Sequence, residues 1–162
     1  MKALFIGGTG TISLELTKYL SQLEWDITLL NRGNKNKEIP KNVKVITVDI
    51  NEEEMVETHI ENETFDVVID FIAFRVTDLE RDYRLFKGRT KQFIFISSAS
   101  AYQKPLSNYI IEESTPLHNP YWQYSRDKIA CEEFLMDKYR QEDFPITIVR
   151  PSHTYSNRSV PT

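Results

Sequence analysis

The chain has 162 residues, a length that fits one domain and can bury a sizeable core. Hydrophobic residues make up 40% and charged residues 27%, as in an ordinary globular protein, and a net charge of −4 argues against nucleic-acid binding. Cys131 is the only cysteine, which excludes an internal disulfide and favours a cytoplasmic location. The apolar start, Ala3–Ile6, is too short for a signal peptide or a membrane span, so no membrane association is expected.

Short apolar runs alternate with helix-like patterns along the chain. Six strands are predicted at Ala3–Ile6, Ile27–Leu30, Val43–Val48, Val67–Ile72, Phe93–Ile96 and Ile146–Val149. Four helices are predicted: one carrying Ile12, Leu16 and Leu20, one at Glu52–Ile60 with Asn51 as its N-cap, one that begins at Thr77 and ends at Gly88, and one at Tyr121–Tyr139. Continuous apolar strands joined by helices predict an α/β fold, a doubly wound parallel sheet with helices on both faces.

A glycine-rich turn, Gly7–Ser13, joins the first strand to the first helix. An open α/β sheet binds a pyrophosphate at this place, because the helix N-terminus offers unpaired N–H groups and a partial positive charge. Gly7 is expected to allow the tight turn and Gly10 the approach of the phosphates, with Thr11 and Ile12 beside them and Ser13 in the third, small-residue position. A plain strand–helix turn is the alternative, but the strand before it and the helix after it favour a dinucleotide site.

The ends of the second and third strands carry further candidate contacts to a cofactor. An acidic residue after the second strand usually binds the ribose 2′-hydroxyl of NAD, whereas arginine suits a 2′-phosphate. Asn31 and Arg32 stand there, and Arg32 therefore favours NADP over NAD without fixing the choice. Asp49 ends the third strand. Its carboxylate could accept from the adenine amino group or could serve as a turn or capping residue, and the sequence leaves both open.

Tyr124 and Lys128 are four residues apart on a predicted helix, which puts both side chains on one face. A free phenol has a pKa of about 10, and a nearby ammonium group lowers such a pKa, as proton transfer requires. Such a pair is common on helices by itself. The glycine turn and Ser98 at the end of the fifth strand favour a catalytic set of Ser98, Tyr124 and Lys128 over a serine that only caps the strand exit.

These motifs occur in an order that resembles the extended short-chain dehydrogenase/reductase group, the NAD-dependent epimerase/dehydratase family. The residues that carry the resemblance are Gly7-x-x-Gly10-x-x-Ser13, Asp49-Ile50, Ile96–Tyr102, Tyr124-x-x-x-Lys128 and Arg150-Pro151. The resemblance covers the whole chain, 1–162, and implies a single Rossmann-type NAD(P)-binding domain.

The resemblance also implies roles for individual residues. Ser98 is then the catalytic hydroxyl, Tyr124 the acid/base and Lys128 its partner, acting on a hydroxyl or keto group of a small molecule such as a nucleotide sugar. Phe71, Ile72 and Ala73 are expected to line the riboses of the cofactor, and Pro151 to His153 to flank the nicotinamide. Ile50, the second residue of the Asp49-Ile50 pair, is expected to contact the cofactor. Ala99 and Ser100 replace the Asp-Glu pair of the sugar-nucleotide dehydratases, which argues against elimination of water.

Extended members of this family are about twice as long, and their second half builds the substrate domain. We therefore expect a truncated product that lacks most of that domain, and the polar segment Pro151–Thr162 reads as the start of a further one. One alternative is a non-catalytic nucleotide-binding, RNA-binding or regulatory member. Another is an interaction module in which the sixth strand, as a sheet edge, pairs with a second copy. Three scattered histidines and one cysteine predict no metal site.

Overall fold

The computed structural model describes residues 1–34 and 38–155, and within them six parallel strands form a single sheet. The last part of the expected segment Pro151–Thr162, residues 156–162, lies outside the described residues. In chain order the elements are β1 (Lys2–Ile6), α1 (Thr11–Gln22), β2 (Asp26–Asn31), β3 (Lys44–Thr47), α2 (Glu53–Ile60), β4 (Val67–Asp70), α3 (Val76–Phe86), β5 (Phe93–Ile96), a short 3₁₀ helix (Ala99–Ala101), α4 (Gln123–Glu142) and β6 (Ile146–Val149).

The strand order is β3-β2-β1-β4-β5-β6, and every pairing is parallel. The chain runs outward from β1 to β3, then returns to place β4 on the other side of β1. The sheet therefore reverses its direction of growth between β1 and β4, where an open α/β sheet forms its binding crevice at the carboxyl ends of the strands. This confirms the predicted Rossmann-type doubly wound fold.

Two apolar cores lie on opposite faces of the sheet. On one face α1 packs Leu20 against Phe5 and Leu29, and on the other α2, α3 and α4 bury Phe93 and Leu135. β1 and β4 contribute to both cores because successive side chains of a strand point to opposite faces. Complete burial of one such side chain is worth about 1.5–3 kcal/mol, so the helices on both faces hold the sheet together.

The fourth strand is shorter than the sequence predicts, because it ends at Asp70 instead of Ile72. The Asp70 carboxylate is the cause: its Oδ1 accepts hydrogen bonds from the backbone N–H groups of Ile72 (2.5 Å) and Ala73 (2.8 Å). A side-chain acceptor for these two donors turns the chain out of the sheet. The turn leads directly into α3.

Both predicted N-caps were wrong. α3 begins at Val76, before Thr77, because the Asp78 carboxylate reaches back to two earlier backbone N–H groups, those of Phe74 (2.8 Å) and Arg75 (3.0 Å). At α2 the N-cap is Glu52, since the Asn51 side chain is engaged elsewhere, with Arg81 and Asp49.

The ends of the other helices follow from local backbone chemistry. Gly88, with φ +74°, follows the C-cap of α3, as predicted from its position. α4 runs from Gln123 to Glu142 and thus begins and ends later than predicted. Asn119 Oδ1 accepts the N–H of Tyr121 at 3.1 Å, which holds Tyr121 in a turn before the helix. No helix in the described part of the chain is both long and apolar enough to cross a bilayer.

Candidate functional site

A cleft of about 600 Å³ opens at the carboxyl ends of the strands, where the sheet order reverses. Its walls come from the turn after β1, the segments that follow β2 and β3, and the loop after β4. The lining includes most of the residues that the sequence predicts as cofactor contacts: Gly7, Gly10, Thr11, Ile12, Ser13, Asn31, Arg32, Asp49, Ile50, Phe71 and Ile72. The fold thus gathers four separate sequence segments around one space.

Three predicted contacts lie outside this lining. Ala73 is buried, and its backbone is bonded to Asp70 and Lys128. Pro151 is half-buried, and its carbonyl accepts the N–H of Ala99 at 3.0 Å. His153 is exposed, and the next residue, Thr154, lines the cleft in its place.

The glycine turn is closed by the hydroxyl of Ser13. Ser13 Oγ accepts the N–H of Gly10 and donates to the carbonyl of Gly7, both at 2.8 Å. Gly7 has φ +81°, and a Cβ there would lie 2.2 Å from Ile72 Cγ2, so this position needs glycine for two reasons. A Cβ on Gly10 would meet only Ser13 Oγ, at 3.4 Å, which leaves the space in front of the α1 N-terminus open.

This turn suits an anionic group. The first N–H groups of α1 have no acceptor within the helix and face the cleft end of the element, where the helix dipole is positive. At the other end of the cleft the Asn31 amide is oriented by the N–H of Gly33, which donates to its Oδ1 at 2.8 Å. Asn31 Nδ2 is a buried donor with no protein partner among the described residues. A donor of this kind is suited to bind an oxygen atom of a ligand.

The side chains of Arg32 and Asp49 lie at the same end of the cleft. Arg32 is exposed and lines it. Asp49 Oδ1 accepts from the backbone N–H (3.0 Å) and the side-chain Nδ2 (2.9 Å) of Asn51, so the turn role foreseen for Asp49 is present while the residue also lines the cleft.

Lys128 is the buried cation beside the cleft. Its side chain comes from α4 and is almost fully buried, and its Nζ donates to the carbonyls of Ala73 (2.7 Å) and Ile96 (2.8 Å). These carbonyls follow β4 and end β5, so the ammonium group ties together the carboxyl ends of two neighbouring strands. Burial lowers the pKa of Lys128.

Tyr124 lies one helical turn before Lys128. The Lys128 Nζ is 5.8 Å from the centroid of its ring, so the two side chains share a face as their spacing predicts. The ring packs against Trp122, with centroids 4.7 Å apart, and against Phe74 at 5.9 Å. Phe74 lines the cleft, which connects the aromatic cluster to it.

The two serines after β5 have different surroundings. Ser98 is half-buried, and its Oγ accepts the N–H of Ser100 at 3.1 Å, which leaves its own O–H free to donate. Ser97 is buried and donates its hydroxyl to Glu132. The structure therefore separates a structural serine from one that is available at the strand end.

Sequence reasoning missed the ion pair of Glu132 and Arg150. Glu132 is 2% exposed and accepts from Arg150 Nε at 3.0 Å and from Nη2 at 2.6 Å, in addition to the bond from Ser97. Arg150 also donates to the Tyr102 hydroxyl at 3.2 Å. The sequence did indicate that Glu132 is buried, since it lies one turn after Lys128 and next to Cys131 on the buried face of α4.

Arg81 is a second missed residue, because it lines the cleft from α3 although it is only 5% exposed. Its neighbour Asp82 is fully buried. Asp82 falls between Leu79 and Phe86 at helical spacing, so a carboxylate in an apolar stripe was the sign of a buried charge.

Among the residues that the structure describes, no three His, Cys, Asp or Glu side chains are grouped so that they could hold a metal ion. Cys131 is fully buried, and burial raises the pKa of its thiol to about 12. A thiol of this kind is a poor nucleophile at neutral pH.

Comparison with known proteins adds the family. A model of the NAD dependent epimerase/dehydratase family matches residues 3–162. No curated protein matches the chain.

Solved structures share the fold at low sequence identity. A dTDP-glucose 4,6-dehydratase from Bacillus anthracis, in complex with NAD, has a TM-score of 0.78 and 18% identity over 93% of this chain and 54% of its own. A UDP-glucose 4-epimerase from Bifidobacterium longum, in complex with NAD+ and UDP, has a TM-score of 0.77 and 22% identity over 93% of this chain and 52% of its own. A UDP-Glc/GlcNAc 4-epimerase from Campylobacter jejuni has a TM-score of 0.76 and 24% identity, covering 92% and 52%.

The chain spans about half the length of these solved structures. The family model, in contrast, matches almost all of it, from the strand before the glycine turn onward. The chain belongs to the NAD-dependent epimerase/dehydratase family.

Proposed function

We propose that this chain binds a nicotinamide dinucleotide in the cleft and acts as an NAD(P)-dependent epimerase or reductase on a hydroxyl or keto group. The observation that carries the proposal is the position of Lys128. Its buried ammonium group is fixed by carbonyls after β4 and at the end of β5, one helical turn from Tyr124. Ile96, which supplies one of those carbonyls, also lines the cleft.

The cleft suits an extended dinucleotide. The N-terminus of α1 and the open space at Gly10 fit a pyrophosphate, and the free Asn31 Nδ2 fits a ribose hydroxyl at the adenosine end. NAD is bound by the dehydratase and by the Bifidobacterium epimerase described above. The exposed Arg32 supports a 2′-phosphate, so both NAD and NADP are candidates, with Arg32 in favour of NADP.

The nicotinamide ring would supply hydride transfer, and the protein would manage the proton and the developing charge. Tyr124 would exchange a proton with the substrate hydroxyl while Lys128 holds the charge next to it. Ser98 would donate a hydrogen bond to the same substrate oxygen, a role that its geometry allows because its Oγ accepts from Ser100 and its O–H remains available as a donor. His153 and Pro151 would flank the nicotinamide end.

A nucleotide sugar is the substrate class that we propose. The Bifidobacterium epimerase binds UDP, and a UDP-glucuronic acid 4-epimerase from Bacillus cereus of the same fold binds its UDP-sugar together with NAD. This chain spans only about half of the length of those two proteins.

The test is a fluorescence titration of NADH and of NADPH with the unmutated chain and three variants. Gly10→Val should abolish binding, because its side chain would fill the open space at the α1 N-terminus, and it should leave the fold intact. Tyr124→Phe should retain binding and lose turnover of UDP-sugars, and Tyr121→Phe, at a residue that is 75% exposed, is its matched control. Binding without any turnover would assign the chain to a nucleotide-binding role alone. If the unmutated chain binds neither nucleotide, the proposal is wrong.

A further inference from the structure

Two acidic side chains and one arginine are buried together behind the wall of the cleft. Asp70 ends β4, and Arg81 and Asp82 come from the middle of α3. Asp70 and Asp82 are completely buried, and Arg81 is 5% exposed. Charges at such depth are costly unless each one is paired, so their hydrogen bonds can be counted atom by atom.

Arg81 cannot neutralise both acids. Its Nε and Nη2 donate to the same oxygen, Asp82 Oδ1, at 2.9 and 2.8 Å, and its Nη1 donates to Asn51 Oδ1 at 2.8 Å. Its nearest approach to Asp70 is 3.9 Å, between Nη2 and Oδ2, beyond hydrogen-bonding distance. One guanidinium group therefore serves mainly one of the two carboxyl groups.

The remaining carboxyl oxygens are an unsatisfied pair. Asp70 Oδ1 accepts the N–H groups of Ile72 and Ala73, and Asp82 Oδ1 accepts from Arg81. Asp70 Oδ2 and Asp82 Oδ2 are both buried and have no hydrogen-bond partner among the described residues. Two ionised carboxylates only accept, so one proton between these oxygens is the simplest way to satisfy both.

The electrostatic surroundings agree with this arrangement. Burial raises the pKa of Asp82 well above its usual range, and the neighbouring carboxyl group of Asp70 raises that pKa further, against the opposing effect of Arg81. The other acid of α3 near the pair is Asp78, whose Oδ1 lies 3.8 Å from Arg81 Nη1.

The charged and titratable groups on α2 and α4 near the Asp70–Asp82 pair do not supply the missing hydrogen bond. From α4, the Lys128 ammonium interacts with the charge of Asp70, but its hydrogen bonds go to the carbonyls of Ala73 and Ile96. Cys131, also on α4, is a neutral buried thiol, and Glu53 on α2 is an additional acid near Arg81 that is bonded to Arg84. The pair thus has no second hydrogen-bonded cation among the described residues.

We propose that Asp70 and Asp82 share one proton at neutral pH, carried on Asp82 Oδ2 and donated to Asp70 Oδ2, and that this acid pair fixes the turn after β4. The turn forms one wall of the cleft through Phe71 and Ile72, and it presents the Ala73 carbonyl to Lys128. Asp70 and Asp82 are positioning residues in this sense. Only the consequence for Lys128 rests on the proposed function.

A shared proton has a definite effect on stability. The folded chain retains a proton that an unfolded aspartate, with a pKa of about 3.9, has lost, so this contribution to stability is complete below that pH and declines as the pH rises toward the folded pKa. Within that window the unfolding equilibrium constant should increase about tenfold per pH unit relative to a chain without the linked proton. Asp82→Asn is such a chain, because its amide can donate to Asp70 and accept from Arg81 without titrating.

The first experiment measures urea unfolding of the unmutated chain, Asp82→Asn and Asp137→Asn from pH 5 to 8 without any cofactor. Asp137 is an exposed acid on α4 and serves as the matched control. We expect the ratio of the unfolding constants of the unmutated chain and Asp82→Asn to rise by about tenfold per pH unit, and the ratio with Asp137→Asn to stay constant. Parallel pH profiles for the unmutated chain and Asp82→Asn would overturn the shared proton.

Two further measurements complete the test, and the first needs only the unmutated chain, so it decides the question even if Asp82→Asn fails to fold. Carbon-13 NMR of the aspartate carboxyl groups in the unmutated chain should show Asp82 still protonated at pH 6, and a normal titration of Asp82 near pH 4 would contradict the proposal. Amide hydrogen exchange of Ile72 and Ala73, compared between the unmutated chain and Asp82→Asn, tests the turn. The protection factors of these two amides should fall with rising pH in the unmutated chain but not in Asp82→Asn. Equal protection factors in the two chains would show that the acid pair does not fix the turn after β4. All three readouts stand even if no dinucleotide binds.

Discussion

Replacement of Glu132 by glutamine should destabilise the fold strongly, although the side chain keeps its shape. Glu132 is 2% exposed and its partner Arg150 is 19% exposed, so the change leaves a largely buried guanidinium group without its counter-charge. Removal of one partner from a buried ion pair costs about 3–5 kcal/mol, and the partial exposure of Arg150 places the expected cost near the lower end, about 3 kcal/mol. For a chain of this length that corresponds to a fall in the melting temperature of about 6–12 °C.

The assay is urea unfolding followed by circular dichroism, supported by thermal unfolding. Glu133→Gln is the matched control, because Glu133 is the next residue on α4 and is exposed, so its replacement should change stability by less than about 0.5 kcal/mol. Since the pair is buried, the difference between the two variants should persist at high salt.

A double variant separates charge from packing. Arg150→Met in the Glu132→Gln background removes the unpaired charge, so the double variant should be less destabilised than the sum of the single variants. If Glu132→Gln is as stable as Glu133→Gln, or if the two substitutions add without coupling, the ion pair between α4 and the residue after β6 does not stabilise the fold.

Three further predictions concern the turn, the thiol and the sheet edge. Gly7→Ala should destabilise the chain by about 2 kcal/mol or more in thermal unfolding, because of the positive φ and the 2.2 Å contact with Ile72, whereas Gly10→Ala should unfold like the unmutated chain; equal losses would contradict the turn geometry. Cys131 should react slowly with iodoacetamide at pH 8 in the folded chain and rapidly in urea, because burial raises its pKa to about 12, and rapid labelling of the folded chain would show that the site opens. β6 is the last strand of the sheet order in the described residues, so sedimentation at two concentrations should detect self-association through this edge, and a monomer at both concentrations would argue against pairing.

The sequence predicted the fold well because its signals are local and repeated. Apolar runs bounded by glycine or polar residues marked all six strands, and the spacing of Ile12, Leu16 and Leu20 marked the first helix. The helix boundaries were predicted less accurately, because a cap depends on which side chain hydrogen-bonds the free backbone N–H groups. Before α3, the Asp78 carboxylate accepts the N–H groups of Phe74 and Arg75. Before α2, the Asn51 side chain accepts from Arg81 and does not cap the helix.

For the candidate site, the chain order of the motifs was enough to place most of the cleft. Parallel strands bring their carboxyl ends to one edge, so segments that follow successive strands must meet there, and the turn Gly7–Ser13 does meet Asn31, Asp49 and Phe71. The roles of Ser98, Tyr124 and Lys128 as catalytic groups stay predictions.

By itself the sequence determined the fold class and the order of the elements, since periodicity and glycine positions are properties of neighbouring residues. The order of its motifs resembled one family, and the family model that matches residues 3–162 confirmed that resemblance. Only the tertiary structure decided which charges are buried together. Asp70 and Asp82 are 12 positions apart in the chain, and Glu132 and Arg150 are 18 apart. A local pattern can mark one buried charge, as the apolar stripe around Asp82 does, but it does not identify the partner, because the partner is set only when a helix packs across the ends of strands from elsewhere in the chain.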